Sequence, residues 1–201
     1  MPGPPMRLVL ATHNEHKRRE FARLLASSGH EGRAHEVQTL PAEVELPPEE
    51  GETFEENALG KARAAARVTS GASIADDSGI EAVALGGLPG VRSARYAGEH
   101  ATDEENLEKL LREAPAESAL VYVCALAYVD PVSGVERVFK ARCTGRLARE
   151  PRGEGGFGYD PAFLPDEGPT GLTMAQLSDE QKDAISHRGR AARALLEWLG
   201  D

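Results

Sequence analysis

Apolar positions along this chain form short runs and stripes whose spacing predicts strands alternating with helices, then a long hairpin. "LVLA", Leu8 to Ala11, is a buried-strand run that stops at a polar turn. Phe21, Leu24 and Leu25 then recur at helical spacing, with Asn14 placed to cap that helix and Gly29 to end it. "AEVELPPEEGE" is an acidic, proline-bearing loop without a period. Thr53 and Glu56 make a capping box for an alanine-rich helix closed by Gly71. "ASIADDSG" is a second buried strand ending in two carboxylates, and "ALGGLPGVRSARYAG" is a glycine-rich loop. Thr102 and Glu105 open another boxed helix, striped by Leu107, Leu110 and Leu111. Two β-rich runs flank "DPVSG" and predict an antiparallel hairpin. A loop dense in glycine, proline and charge follows, and the chain closes on two short helices capped by Ser178 and Ser186. Alternation followed by a hairpin indicates a mixed-sheet α/β fold.

Composition narrows the function. The 201 residues suit one sizeable core, or two small lobes around a cleft. A net charge of -10 argues against general affinity for nucleic acid or an anionic membrane, although a local basic cluster or a metal ion can still favour a small phosphorylated ligand. No apolar run has the length of a signal peptide or a membrane span, so a cytoplasmic, reduced protein is expected. Cys124 and Cys143 lie in strand-like runs, where free cysteine behaves as a small buried hydrophobe; whether they pair is open.

Four stretches could carry chemistry. In "THNEHK", a helix N-terminus offers unpaired amides and partial positive charge, Lys17 adds a full charge, and Thr12 and Asn14 add side-chain donors. An ordinary capped helix with a solvated lysine would show the same residues. "ADDSG" places Asp76 and Asp77 at the carboxyl end of a strand, where α/β sheets bind ligands. Adjacent carboxylates repel unless a cation intervenes, and magnesium suits such oxygens. Because successive strand side chains point to opposite faces, the two do not chelate together; one faces the cleft and the other braces a backbone or cap. A solvated acidic turn is the bland alternative. "GGFGYDPAF" offers a close backbone and a ring on which a purine can stack, or merely a tight turn anchored by Phe157. "AISHRG" puts His187 and Arg188 at the positive end of the last helix with Lys182 upstream, a set that also occurs on plain surfaces.

In order along one chain, "THNEHK", "TFEENALGKA", "ADDSGIEAVALGGLPGVRSARYAG", "GGFGYDPAF" and "AISHRG" resemble the inosine/xanthosine triphosphate pyrophosphatase family from about Leu8 to Leu199. The resemblance implies a single domain over 1–201 with an elongated two-lobed α/β fold, a central mixed sheet flanked by helices and the active site in the cleft. It implies hydrolysis of ITP, dITP and XTP to the monophosphate and pyrophosphate, with Mg2+ as cofactor and a homodimer as assembly. Position by position, it makes Thr12, His13, Asn14, Glu15, His16 and Lys17 the triphosphate loop. Asp77 becomes the metal-associated catalytic carboxylate, with Ser78 touching substrate. Phe157, Gly158, Tyr159 and Asp160 enclose the base, and Lys182, His187 and Arg188 complete the nucleotide site.

Two departures stand out. The family's second metal-binding glutamate precedes the "TFEEN" helix, but "LPPEEGETF" is one residue out of step, leaving Glu49 as candidate and Glu50 as rival. Val83 occupies a position where aspartate is common, so that position is dispensable for chemistry. The expected mechanism has Mg2+ held by Asp77 and Glu49, with Asp77 accepting a proton from, or orienting, the water that attacks the α-phosphorus. Donors from His187, Arg188 or backbone amides would be left unpaired opposite adenine, which favours 6-oxo purines. The rivals are a pyrophosphatase for modified pyrimidine nucleotides, which would lack the "SHR" and "GFGYDP" segments, and a nucleotide sensor, which would lack the carboxylates. Neither loss is seen.

Overall fold

The computed structural model describes residues 6–27, 35–41 and 43–200. The first five residues, and Gly29, expected to close the first helix, lie outside the described residues. Strand β1 (Arg7–Leu10) pairs in parallel with β2 (Glu36–Thr39) and with β3 (Ser73–Ala82). Parallel neighbours need a crossover, and helices supply both: α1 (Glu15–Ser27) before β2 and α2 (Phe54–Thr69) before β3. Strands β4 (Ala119–Val129) and β5 (Glu136–Leu147) are neighbours joined by residues 130–135, too short a link for a crossover, so they form the expected antiparallel hairpin. Asp130 sets that turn: its N–H donates to the Val135 carbonyl at 2.9 Å, and its carboxylate accepts from the Val132 N–H and the Ser133 hydroxyl. A short β6 (Phe163–Pro165) runs antiparallel to β5, completing a mixed six-stranded sheet of order β2-β1-β3-β4-β5-β6. Helices α3 (Asp103–Glu113), α4 (Asp179–Ile185) and α5 (His187–Gly200) complete the α/β fold. Among the described residues no helix is long and apolar enough to cross a membrane.

The chain divides into two compact units. The first comprises Met1–Asp77, Cys124–Ala141 and Arg190–Asp201. Its core joins Leu8 and Leu10 of β1, Phe21, Leu24 and Leu25 of α1, Ile74 of β3 and Leu195 of α5. The second comprises Ser78–Val123 and Arg142–Gly189, with Ile80, Leu110, Leu120, Tyr122, Leu147, Phe163 and Met174 in its core. Cys124 and Cys143 are buried thiols.

Both capping boxes form: the Thr53 hydroxyl accepts from the Glu56 N–H at 3.2 Å while Glu56 accepts from the Thr53 N–H, and Thr102 and Glu105 do the same for α3. Ser178 caps α4, and the Ser186 hydroxyl accepts from the Gly189 N–H at the start of α5. Three local expectations are corrected. Ser70, not Gly71, takes the left-handed position after α2 (φ 53), because the chain must reverse early enough for the Ala72 carbonyl to accept from the Val9 N–H. The glycine-rich loop contains two 3-10 turns, Val83–Leu85 and Gly90–Arg95. Strand β3 does not end at the aspartates but continues to Ala82. The partner strand is what ends there: β1 pairs Leu10 with Ile74, and the chain then leaves the sheet into the "THNEHK" turn.

Candidate active site

Where β1 stops, the turn toward α1 meets the two aspartates of β3, all within the first unit. Asn14 is the expected cap, its Oδ1 accepting from the Lys17 N–H at 3.0 Å, and Thr12 Oγ1 accepts from the Asn14 N–H at 3.1 Å. Both side chains act as acceptors toward the backbone, so each keeps its own donor hydrogens for a ligand. His13 lies 3.0 Å from the Val44 carbonyl through Nε2. Glu15 is exposed and engaged by Arg18 and Arg19, and His16 is exposed. The Glu15 contacts stay within α1.

Lys17 is drawn toward the aspartates. Its ammonium sits 3.2 Å from Oδ1 of Asp76, whose side chain is fully buried. Asp77, on the opposite pleat, accepts from Nδ2 of Asn57 at 2.9 Å. Lys61 is buried and stitches the group together: its ammonium donates to the Asp76 carbonyl at 2.7 Å, contacts Glu49 Oε1, and lies 3.8 Å from Asp77 Oδ1. Thus the two aspartates do take different partners, as the strand pleat requires. Of the two glutamates, Glu49 is half-buried in this cluster and Glu50 is exposed.

The electrostatics follow from burial against charge. Burial raises the Asp77 carboxyl above its ordinary value, Lys61 opposes this, and Glu49 adds to it. Burial would raise Glu49 as well, but there the charge and hydrogen bond of Lys61 prevail and hold it below the usual range. Burial would lower Lys61, yet Glu49, Asp76 and Asp77 keep its ammonium above the ordinary lysine value. Of Asp77 and Glu49, Asp77 is therefore the better disposed to accept a proton.

Three carboxylates against two ammonium groups leave this cluster one negative charge in excess. A polyphosphate could not settle against that excess without a further cation. Among the described residues no three histidines, cysteines or carboxylates are grouped to hold a metal. Two carboxylate donors nevertheless suffice for a hard ion that completes its shell with water and phosphate oxygens, and Asp77 and Glu49 supply such donors.

The second unit gathers the remaining predicted residues around Asp160. One oxygen of its buried carboxylate accepts from the Phe157 N–H at 3.0 Å and from the Lys182 ammonium at 2.7 Å; the other accepts from the Tyr122 hydroxyl at 3.0 Å. Gly156 adopts φ 68, and a Cβ there would collide with the same carboxylate, so glycine is required. The next amide, Gly158 N–H, donates to Asp103 at 2.9 Å, and the Tyr159 hydroxyl donates to the Ser93 carbonyl at 2.7 Å. The Phe157 ring carries the Arg188 guanidinium 4.8 Å and the Lys182 ammonium 5.3 Å from its centroid. Arg188 also donates to the Ser78 hydroxyl at 2.7 Å, and the buried His187 ring stacks on Tyr122. With the Phe157 and Gly158 amides donating inside the protein, side chains are the better-placed source of donors for a base.

Four participants escaped the sequence reading: Asn57, Lys61, Tyr122 and Asp103. A signal existed for the first two. They lie four apart on the stripe of α2 that also carries Phe54, Ala58, Ala62 and Ala65, and a lysine on a buried stripe requires anionic partners. Tyr122 is hidden in the apolar run of β4, and the tie from Asp103 to Gly158 spans 55 residues.

An α/β chain that threads lysines through buried carboxylates beside a capped helix is built to manage charge around an anionic ligand. It belongs to the Ham1 family, whose sequence profile matches residues 8–198. It is 49% identical over 196 residues to a dITP/XTP pyrophosphatase of Mycolicibacterium paratuberculosis, covering 96% of this chain and 95% of that one. It is 46% identical to the dITP/XTP pyrophosphatase of Photorhabdus laumondii, with 96% and 98% covered. A HAM1 protein from Coxiella burnetii superposes with a TM-score of 0.80 at 36% identity, covering 96% of this chain and 98% of that one. A nucleoside-triphosphatase / dITP/XTP pyrophosphatase from Mycobacterium abscessus gives 0.70 at 43% identity, with 95% and 99% covered.

Proposed function

We propose that this protein hydrolyses deaminated purine nucleoside triphosphates (ITP, dITP and XTP) to the monophosphate and pyrophosphate, its two units working as one pyrophosphatase domain. The observation that carries this is the buried cluster of Asp76, Asp77 and Glu49 threaded by Lys17 and Lys61, in a chain so similar to named dITP/XTP pyrophosphatases. Thr12, Asn14 and Lys17 bind the phosphates through their donors and charge, with the start of α1 adding its partial positive field. Asp77 accepts the proton of the water that attacks the α-phosphorus, a role that its raised pKa favours. Asn57 holds that carboxylate in place, and Lys61 keeps Glu49 and the β3 backbone in register with it.

The implied metal is Mg2+, which Asp77 and Glu49 would hold and which would supply positive charge against the phosphates and the leaving pyrophosphate. On the base side, Phe157 offers a stacking face, while Arg188 and His187 donate to the 6-oxo group. Adenine presents an amino group there and would leave these buried donors unpaired, so ATP is a poor substrate. The acting form is a homodimer in the cytoplasm. Pyrophosphate release from ITP, dITP, XTP, GTP, ATP and modified pyrimidine triphosphates with Mg2+ tests the assignment. Turnover confined to the 6-oxo purines lacking a 2-amino group is the expected result, and preference for pyrimidines would overturn it.

A further inference from the structure

We infer that Tyr122 is a positioning residue for base selection: from strand β4 its hydroxyl fixes the Asp160 carboxylate that aims Phe157 and Lys182, while its ring fixes His187. This rests on the purine assignment above and adds to it a residue that touches no substrate. Tyr122 is 6% exposed, in the core of the second unit. Its hydroxyl donates to Asp160 Oδ1 at 3.0 Å. The other carboxylate oxygen already serves the Phe157 N–H and the Lys182 ammonium. A buried ion pair such as Asp160–Lys182 is well held only when its remaining lone pairs find donors, and Tyr122 supplies one. Burial, then the Asp160 charge, pushes the phenol far above its ordinary pKa, so the hydroxyl stays a donor across the physiological range.

The ring does a second job. It lies parallel to the His187 imidazole, with centroids 4.5 Å apart and planes 5° apart, and packs against Phe163, also at 4.5 Å. His187 is the first residue of α5, and Arg188 beside it rests on Phe157. One side chain on a rigid strand thereby touches both groups of proposed base readers: the 156–160 loop through Asp160, and the start of α5 through His187. Sites supported in this way hold their geometry better than loops left to themselves. Phenylalanine would preserve the stack and the volume but leave a buried carboxylate oxygen without its donor.

Steady-state kinetics of Tyr122→Phe on ITP and ATP, beside its melting temperature, separate this role from scaffolding. The expected result is a KM for ITP raised about 5- to 10-fold, with kcat within about 2-fold and ATP little changed, so that the ITP-to-ATP ratio of kcat/KM falls by the same factor. Tyr122→Leu, which also loses the ring stack, should lower that ratio further, and the dissociation constant for IMP by calorimetry should weaken in step. An unchanged ratio and IMP affinity in Tyr122→Phe, or an equal loss for ITP and ATP with a lower melting temperature, overturns the inference while leaving the function standing. Wild-type protein that releases no pyrophosphate from ITP overturns the function and the inference with it.

Discussion

The two polar clusters are built with opposite charge balance. Around Asp77, three carboxylates meet two lysines, Lys17 and Lys61. Among the buried groups around Phe157, one carboxylate, Asp160, meets two cations, Lys182 and Arg188, while Asp103, bonded to the Gly158 N–H, is exposed. The first has acceptors in excess and calls for a cation and a proton; the second has donors in excess and suits a carbonyl acceptor. The total charge of -10 describes neither of them. What matters to a ligand is the local ledger of donors, acceptors and burial, because exposed charges beyond about 10 Å are screened at ordinary ionic strength.

If the first cluster does the chemistry and the second the choosing, variants should divide the same way. The largest effect belongs to Asp77→Asn, which keeps the shape and the Asn57 contact region but removes the proton acceptor. Turnover of every triphosphate should fall by at least about 10²-fold with an unchanged fold, measured as pyrophosphate release. Retained turnover would remove Asp77 from the mechanism. Asp76→Asn breaks the buried pair with Lys17 and should act mainly on stability; if it damages chemistry more in a folded protein, the two aspartates are exchanged in role.

A smaller effect falls on Glu49. Glu49→Gln should raise the Mg2+ concentration for half-maximal activity about 10-fold, and Glu50→Gln much less, since Glu49 lies in the cluster and Glu50 in solvent. The reverse ranking would shift the alignment across "PPEEG" by one residue. The smallest effect is outside both clusters. Thr53→Ala removes half of the α2 capping box, costing about 1 kcal/mol. The melting temperature should drop by roughly 2–4 °C without altering nucleotide preference.

Sequence showed most clearly what short-range physics decides. The boxes at Thr53 and Thr102, the caps at Asn14, Ser178 and Ser186, and the hairpin around "DPVSG" all depend on contacts within a few residues. Strand β2, "EVQT", was invisible because it is a mostly exposed edge strand with no alternating apolar pattern. Strand β6 was hidden in a glycine- and proline-rich stretch and exists only through its pairing with β5. The extent of β3 was misjudged because buried aspartates resemble a strand end, whereas here Lys17, Lys61 and Asn57 neutralise or bond them in mid-strand. The ordered motifs named the residues at both clusters, but not the links from Tyr122, Asp103 and Lys61, which join positions far apart in the chain.

The division between chemistry and choice is tested most directly by comparing Lys17→Ala with Arg188→Ala in the ITP-to-ATP ratio of kcat/KM. Lys17, paired with Asp76 and proposed to bind the phosphates, should lower kcat/KM for both nucleotides alike and leave the ratio unchanged. Arg188, laid on Phe157 and bonded to Ser78, should lower it for ITP far more, collapsing the ratio by on the order of 10-fold or more. Equal losses for ITP and ATP in Arg188→Ala, or a ratio that changes in Lys17→Ala, would contradict the account.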